Sequence, residues 1–472
     1  MTPATNDSRS PRLPLPIRVL PLLLALGLAQ AQDIELPRQA PLQGDPLTFA
    51  VSGLQAGQPL TLRVSRRLML PVLGPRLVRA EARFTADAQG RVDPAHQAAL
   101  DGSYTGVESQ GLLWSAQPVQ AGQVSPELAE GQVLIEAFAA APALDGARPL
   151  AQARLQIQPA GALVKSRAVP GFPGAQLVLP RQSAAGERLG VVVVLGGSEG
   201  GSGTALRMAE AFAARGLAAF ALPYYSPTRW GTQGPLPPEL PTLPSSFGGI
   251  ELDRLEAVRD WLQQQPEVDA RRIALWGVSK GGEFALAAAS RMPWLQGVVA
   301  VVPSDVIWQG FDTFRGALPQ ASFRWHGEDL AFVPYEGYRE ETSGFLTGQP
   351  VVLRRPHDAG RRAHPGQAAA ARIEVERFHN PVLLIAGSDD QVWDSAGMAR
   401  EAARRRAEQQ RPTELLIFEG AGHGISGLGE LPTALNNAGP MKMGGQPAAD
   451  AHAQAEGWAR TLRFLRAVLE RS

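Results

Sequence analysis

Cysteine is absent from this chain of 472 residues. No disulfide can form, and neither a thiol nucleophile nor a thiolate metal ligand is available. A lipid anchor on an N-terminal cysteine is excluded as well. The chain also lacks net charge, because its 45 Lys and Arg residues balance its 45 Asp and Glu residues. A general nucleic-acid binder needs a basic face, so we expect no nucleic-acid partner.

Long hydrophobic runs are missing after the first thirty-odd residues, and no later segment is apolar enough to predict a bilayer span. The N-terminal run, 19–28, follows three arginines and precedes Ala29-Gln30-Ala31, whose small residues suit a signal peptidase. These features predict a signal peptide over residues 1–31 and a mature chain that begins at Gln32. Cleavage would make the protein secreted or periplasmic, without a stable membrane anchor. An uncleaved leader or a wrongly assigned start codon would leave it membrane-anchored or cytoplasmic.

The length of the chain predicts two or three domains, and residues 32–160 are expected to form the first. Short segments here alternate apolar with polar or small residues, as at Leu60, Leu62 and Val64, and Gly, Pro and Asp separate them. A period of two over short runs indicates an antiparallel β-sandwich with an Ig-like architecture. We find no catalytic pattern in this domain.

Residues 165–472 instead predict strands that alternate with helices. The run 191–194 consists of four valines, and such β-branched runs are typical of strands buried on both faces of a mainly parallel sheet. The alternation indicates an α/β fold with a doubly wound sheet. Two segments break the rhythm, 226–249 and the long, irregular 307–371. We expect both to be loops or lids over the carboxyl edge of the sheet.

The candidate nucleophile is Ser279, within Gly277-Val278-Ser279-Lys280-Gly281. This G-x-S-x-G pattern lies between a predicted strand and a helical run, which is the setting of a nucleophile elbow. Glycines two residues on either side allow close backbone packing, and the helix N-terminus places amide dipoles near developing negative charge. A Gly-Ser turn before an ordinary helix is the alternative.

A nucleophilic serine needs a base and an orienting acid, in the chain order Ser, Asp or Glu, His. Asp389 and Asp390 follow one predicted strand and His423 follows the next, so both sites lie at carboxyl strand ends, where such a sheet binds ligands. We predict His423 as the base and Asp390 as the acid, with Asp389 left to brace the turn. Together with Ser279 they indicate a serine hydrolase of the α/β-hydrolase class. Surface or structural roles are expected for five other histidines, His326, His357, His364, His379 and His452.

The oxyanion hole should combine the backbone amide of Lys280 with one from the loop Gly197-Ser198-Glu199, most directly that of Ser198 or Glu199. A phosphate-binding role for this glycine-rich loop is the rival interpretation. The loop lacks both the Lys-Ser/Thr ending of a P-loop and the spacing of G-x-G-x-x-G. We expect no cofactor and no metal ion.

As a set, the motifs resemble the family of acyl-CoA thioesterases and bile acid-CoA:amino acid N-acyltransferases, with this chain as a bacterial member. The resemblance covers nearly the whole mature chain, because order and spacing agree in both predicted domains. It rests on 100–108, 111–114, 195–200, 277–283, 387–393 and 420–423. It implies a sandwich packed on the hydrolase domain, an acyl thioester substrate and the triad Ser279, Asp390 and His423.

The residue at the elbow bears on the reaction. Members of this family that transfer acyl groups to amino acids carry cysteine there, whereas this chain has serine, like the hydrolysing members. The resemblance therefore implies hydrolysis of an acyl-CoA thioester, through an acyl-serine, to a free fatty or carboxylic acid and CoA.

The predicted leader conflicts with this substrate, because CoA is found inside cells. Three alternatives stay open: an exported carboxylesterase, lipase or peptidase of the same fold, an acyltransferase with an amine acceptor, and a non-catalytic binding protein. The sequence does not indicate an oligomeric state.

Overall fold

The computed structural model describes residues 1–2, 32–70, 74–120, 127–139, 147–182, 186–231, 234–312 and 314–470. Almost all of the predicted leader, and its cleavage site, lie outside this part of the chain, so export stays a prediction. No helix within these ranges has the length and apolarity needed to cross a membrane.

The N-terminal strands form two antiparallel sheets, as the short alternating segments predict. They are β1 (Asp33–Glu35), β2 (Ala50–Ser52), β3 (Pro59–Leu70), β4 (Gly74–Thr85), β5 (Asp101–Gly102), β6 (Gln117–Pro118), β7 (Gln132–Ala139) and β8 (Ala151–Gln156), with one short helix, α1 (Gly111–Trp114). Six of them make a sheet of order β5-β4-β3-β7-β8, in which β6 also pairs with β4. The second layer is smaller and contains only the pair β1-β2 among these strands.

In the six-stranded sheet, the alternation of apolar and polar residues decides which face is buried. Leu60, Leu62 and Val64 of β3 lie in one apolar cluster with the inward residues of β4 and β7, and Ile34 and Val51 of the second layer close that cluster. One-residue register shifts would turn this whole set outward, so the pattern specifies the pairing. The result is the predicted β-sandwich.

The rest of the chain builds a second, larger sheet and several small ones. Its strands are β9 (Val164–Ala168), β10 (Gln176–Pro180), β11 (Leu189–Leu195), β12 (Ala218–Ala221), β13 (Arg229–Gly231), β14 (Gly234–Leu236), β15 (Ile250–Glu251), β16 (Val268–Val278), β17 (Gly297–Val301), β18 (Gln309–Asp312), β19 (Gly316–Ala321), β20 (Phe323–Trp325), β21 (Glu328–Asp329), β22 (Val382–Gly387) and β23 (Thr413–Phe418). The large sheet has eight strands in the order β23-β22-β17-β16-β11-β12-β10-β9. Six neighbouring strands of this sheet are parallel, namely β23, β22, β17, β16, β11 and β12. At the other edge β10 pairs antiparallel with both β12 and β9.

Helices cover both faces of this sheet. They are α2 (Gly203–Ala213), α3 (Arg254–Gln263), α4 (Lys280–Ala289), α5 (Tyr338–Thr342), α6 (Gly344–Thr347), α7 (Arg354–Ala363), α8 (Pro365–Ala370), α9 (Ser395–Glu408) and α10 (Pro447–Leu469). Three single 3₁₀ turns occur at Ala160–Leu163, Val375–Arg377 and Thr433–Leu435. Along β11, Val191 and Val193 belong to one core with α3, α4 and α9, while Val192 and Val194 belong to another with α2 and α10. Burial on both faces explains the uninterrupted valine run.

The expectation that segment 307–371 is irregular was wrong, because this segment contains β18 to β21 and α5 to α8. These elements are 2 to 10 residues long. Such short elements leave little periodicity in the sequence, since fewer than three helical turns or a two-residue strand cannot show a clear repeating apolar pattern.

The sandwich and the larger sheet belong to one compact unit, residues 32–472. Arg215, next to the end of α2, donates to the carbonyl of Gln43 at 2.9 Å and pairs with Asp45 at 2.6 Å. Gln43 also donates to Glu430 at 2.7 Å. The division into domains at 32–160 and 165–472 stays a prediction, with β8 and β9 on either side of it.

Arg406 on α9 offers a test of how this fold is held together. Its side chain is fully buried and donates five hydrogen bonds, to the carbonyls of Val375, Phe378, Asn380 and Pro412 and to the hydroxyl of Thr413. Arg406→Met leaves these acceptors unsatisfied, so we expect a loss of about 3 kcal/mol or more in the free energy of unfolding, measured by urea denaturation.

The matched control is Arg404→Met on the same helix, where the arginine is exposed and pairs with Glu401 and Glu408. Its effect should stay within about 0.5 kcal/mol. Equal effects of the two substitutions would contradict this account of Arg406.

Candidate active site

Ser279 occupies a strained turn between β16 and α4. Its backbone has φ 56° and ψ −121°, a conformation that residues with a side chain rarely adopt. Close backbone contacts hold the turn: a Cβ at Gly277 would overlap the carbonyl of Gly281, and one at Gly281 would overlap the carbonyl of Gly196. The Ser279 amide donates to the Val301 carbonyl at 2.9 Å. The two flanking glycines are therefore required by packing.

The structure brings Ser279, His423 and Asp390 together in one hydrogen-bonded chain. His423 Nε2 lies 2.9 Å from Ser279 Oγ, and His423 Nδ1 lies 2.8 Å from Asp390 Oδ2. An ionised carboxylate only accepts, so Nδ1–H donates to Asp390 and leaves Nε2 to accept from the serine hydroxyl. Serine and histidine keep 9% and 5% of their surface exposed, while the aspartate has none. Each follows the carboxyl end of its own strand, β16, β23 or β22.

The two adjacent aspartates have different environments. Asp390 accepts from the amides of Val392 at 2.8 Å and Trp393 at 3.2 Å through Oδ1, which leaves Oδ2 for the imidazole. Asp389 instead accepts from Gln391 Nε2 at 2.8 Å and from the Gly445 amide at 3.0 Å. Asp390 therefore contacts His423, and Asp389 ties two loops together.

The glycine-rich loop lies against the elbow. A Cβ at Gly197 would be 3.4 Å from Ser279 Cβ. The Gly197 amide is already used, because it donates to the carboxylate of Glu199 at 3.0 Å. Ser198 is half-buried and Glu199 is exposed. The amide of Lys280 is in the first turn of α4, where backbone N–H groups have no intrahelical acceptor. Gly197 and the Lys280 amide therefore both lie next to Ser279.

A buried ion pair was missed by the sequence analysis. Lys280 Nζ lies 2.6 Å from Glu283 Oε2 and donates to Ser322 Oγ at 2.8 Å, and the other Glu283 oxygen accepts from the Trp308 amide at 3.0 Å. Burial lowers the pKa of Lys280 and raises the pKa of Glu283, while each partner opposes the shift of the other. The i, i+3 spacing of the two charges on α4 was the available signal.

His357 is structural, as expected, but it is buried beside the site. Its Nδ1–H donates to the Leu353 carbonyl at 2.7 Å, and its ring packs edge-on against Trp308 and Trp393. Burial lowers the pKa of His357 to about 3, so the ring stays neutral at physiological pH. Trp393 also contacts the His423 ring, with centroids 5.6 Å apart. The Trp393 ring therefore shields one side of His423 from water.

A doubly wound sheet with a serine elbow, followed by an acid and a histidine at successive strand ends, defines the α/β-hydrolase class. Two family models match the chain. The model described as "BAAT / Acyl-CoA thioester hydrolase C terminal" matches residues 250–471, and "Acyl-CoA thioester hydrolase/BAAT N-terminal region" matches residues 44–156. The chain belongs to this acyl-CoA thioester hydrolase/BAAT family.

Curated relatives agree with this assignment. Acyl-coenzyme A thioesterase 2, mitochondrial, from Mus musculus is 29% identical over 435 residues, which are 89% of this chain and 85% of that protein. Acyl-coenzyme A thioesterase 1 from Homo sapiens is 29% identical over 434 residues, which are 89% of this chain and 92% of that protein.

Similar solved structures include two enzymes at lower identity. A dienelactone hydrolase-like promiscuous phosphotriesterase from metagenomic libraries has 17% identity and a TM-score of 0.38, and the match covers 65% of this chain and 99% of that one. A thermostable esterase from Pseudomonas putida has 17% identity and a TM-score of 0.36, over 66% of this chain and 84% of that one. Both TM-scores are too low to support an argument.

The elbow packing yields a prediction. Gly281→Ala places a methyl group against the carbonyl of Gly196, so the glycine-rich loop must move away from Ser279. We expect covalent labelling of Ser279 by a fluorophosphonate probe to slow by at least about tenfold, since a misplaced site of this kind loses rate steeply. Labelling is followed by intact-protein mass spectrometry.

Gly203→Ala is the control, because a Cβ there meets nothing within 4 Å and the position begins α2. It should label at the wild-type rate. Unchanged labelling of Gly281→Ala would show that the close contact with Gly196 is dispensable.

Proposed function

We propose that this protein hydrolyses acyl-CoA thioesters to a free fatty or carboxylic acid and CoA, with Ser279, His423 and Asp390 as its catalytic triad. The observation that carries the proposal is the hydrogen-bonded chain from Ser279 Oγ through His423 to Asp390. The relatives named as acyl-coenzyme A thioesterases support the substrate class, since they match 89% of this chain. Serine at the elbow supports hydrolysis rather than transfer.

The first half-reaction forms an acyl-serine. His423 Nε2 takes the hydroxyl proton of Ser279 as Oγ attacks the thioester carbonyl carbon. The amide of Lys280 and one from residues 197–199 stabilise the oxyanion, and the Asp390 carboxylate stabilises the imidazolium. The carbon–sulfur bond then breaks, and the thiol leaves with the proton from His423.

The second half-reaction releases the acid. Water attacks the acyl-serine carbonyl while His423 Nε2 takes one of its protons. The carbon–oxygen bond to Ser279 then breaks, and the proton passes to Oγ, so the hydroxyl and the neutral imidazole are restored. One thioester and one water give one carboxylic acid and one thiol.

The nucleophile is tested with Ser279→Ala. Without Oγ no acyl-enzyme forms, so kcat for a long-chain acyl-CoA should fall by at least about 1,000-fold. Mass spectrometry should detect an acyl adduct on the wild-type protein and none on the variant. Ser343→Ala is the matched control, because that serine is exposed and bonds only within its own helical segment. Full thioesterase activity of Ser279→Ala would overturn the proposal.

The acid is tested with the adjacent pair of aspartates. Asp390→Asn removes the charge that orients and stabilises His423, so kcat should fall by roughly 1,000-fold. Asp389→Asn changes the neighbouring carboxyl group in the same way, but that group faces Gln391 and Gly445, so kcat should fall by less than about tenfold. Thermal unfolding checks that both variants fold. Equal losses of activity would remove Asp390 from this role.

A further inference from the structure

A second polar feature lies beside the triad. Three arginines, Arg354, Arg355 and Arg362, line a surface groove of about 430 Å³, which we call the arginine groove. Asp358 is the one carboxylate among its lining residues. The groove belongs to α7 and the residues just before it, within the segment 307–371.

The groove is joined directly to the triad acid. Arg354 Nη1 donates to the Asp390 carbonyl at 2.9 Å, and the Arg354 amide donates to the Gln391 carbonyl at 2.9 Å. Gln391 itself lines the groove. A path of three hydrogen-bonded contacts therefore runs from Ser279 through His423 and Asp390 to Arg354.

The positive charge of the groove is only partly compensated. Arg354 pairs with Asp394 at 3.1 Å and with Asp358 at 3.4 Å, so these carboxylates largely neutralise its charge. Arg355 keeps 68% of its side chain exposed and meets Glu341 only at 3.4 Å. Arg362 is exposed and forms no ion pair with any residue that the structure describes. Arg362 is thus free to bind an anion, and Arg355 has only one long ion pair to exchange for it.

A carboxylate close to Ser279 adds to this difference in charge. On the Gly197 side of Ser279 lies the carboxylate of Glu199. An anionic group of a bound substrate is therefore favoured on the arginine side of Ser279 and disfavoured on the Glu199 side.

We propose that the arginine groove binds phosphate groups of the thiol portion of the substrate and so selects CoA thioesters over thioesters and esters that lack phosphate. This inference rests on the proposed function. Guanidinium groups match phosphate oxygens in a bidentate fork and stay protonated at all physiological pH values. Arg355 and Arg362 bind the phosphates, and Arg354 fixes the groove against the loop that carries Asp390.

The test compares two thioesters of the same acyl chain, one on CoA and one on N-acetylcysteamine, which has no phosphate. For the double variant Arg355→Gln/Arg362→Gln we expect KM for the CoA thioester to rise by about tenfold or more, with kcat nearly unchanged, since each charge-assisted bond contributes on the order of a tenfold affinity. Kinetics on the N-acetylcysteamine thioester should not change. Raised salt should weaken only the wild-type preference for CoA.

The control double variant, Arg377→Gln/Arg404→Gln, removes two exposed arginines elsewhere and should match the wild type on both substrates. Equal losses on both substrates, or no change on either, would overturn the role of the groove while leaving the thioesterase assignment intact. A wild-type protein that cleaves neither substrate would instead refute the proposed function. Calorimetric titration with CoA and with pantetheine then tests the groove separately: equal affinities for both ligands would overturn it.

Discussion

The close approach of three backbone segments at the elbow is the constraint on which the site depends. Ser279 holds a positive φ in a turn where the absent side chains of Gly277 and Gly281 let β16, α4 and the Gly196 carbonyl of the loop after β11 touch. That contact accompanies a serine oxygen 2.9 Å from His423 Nε2 and brings the loop of proposed oxyanion donors to the same point. The strain at one residue is therefore balanced by the packing of the whole central sheet.

This dependence explains how much of the site could be predicted. Ser279 and Asp390 follow β16 and β22, which are apolar and mostly buried, while His423 follows the edge strand β23, whose run 415–418 is apolar although none of it is fully buried. The apolar runs predict where these strands end, and the parallel sheet brings the ends together. The valine run of β11 identifies a doubly covered sheet for the same reason. The local sequence was therefore sufficient to predict those strands whose side chains are buried in a regular pattern.

What could not be predicted depends on contacts between distant residues. Lys280 and Glu283 read as ordinary charges on a helix, yet both are buried because Ser322 and the Trp308 amide, from the segment 307–371, satisfy them. His357 looks like any isolated histidine until Trp308 and Trp393 enclose it. The i, i+3 spacing marks Lys280 and Glu283 only as neighbours on one helix, and no local pattern predicts the burial, since Trp308, Ser322 and Trp393 lie far from their partners along the chain.

The segment 307–371 therefore does more than cover the sheet. Through Trp308 and Ser322 it completes the ion pair on the helix that begins next to Ser279, and through Arg354 it contacts the main chain of Asp390. Losing either of these hydrogen bonds from the segment would leave a buried charged group with one partner fewer, at a cost of about 1–3 kcal/mol, so the segment and the elbow are coupled energetically. An α/β-hydrolase sheet supports many reactions, and the residues grafted onto its carboxyl edge decide which one occurs. Here one segment both contacts the main chain of Asp390 and carries the arginines that we propose distinguish a phosphorylated thiol from a neutral one.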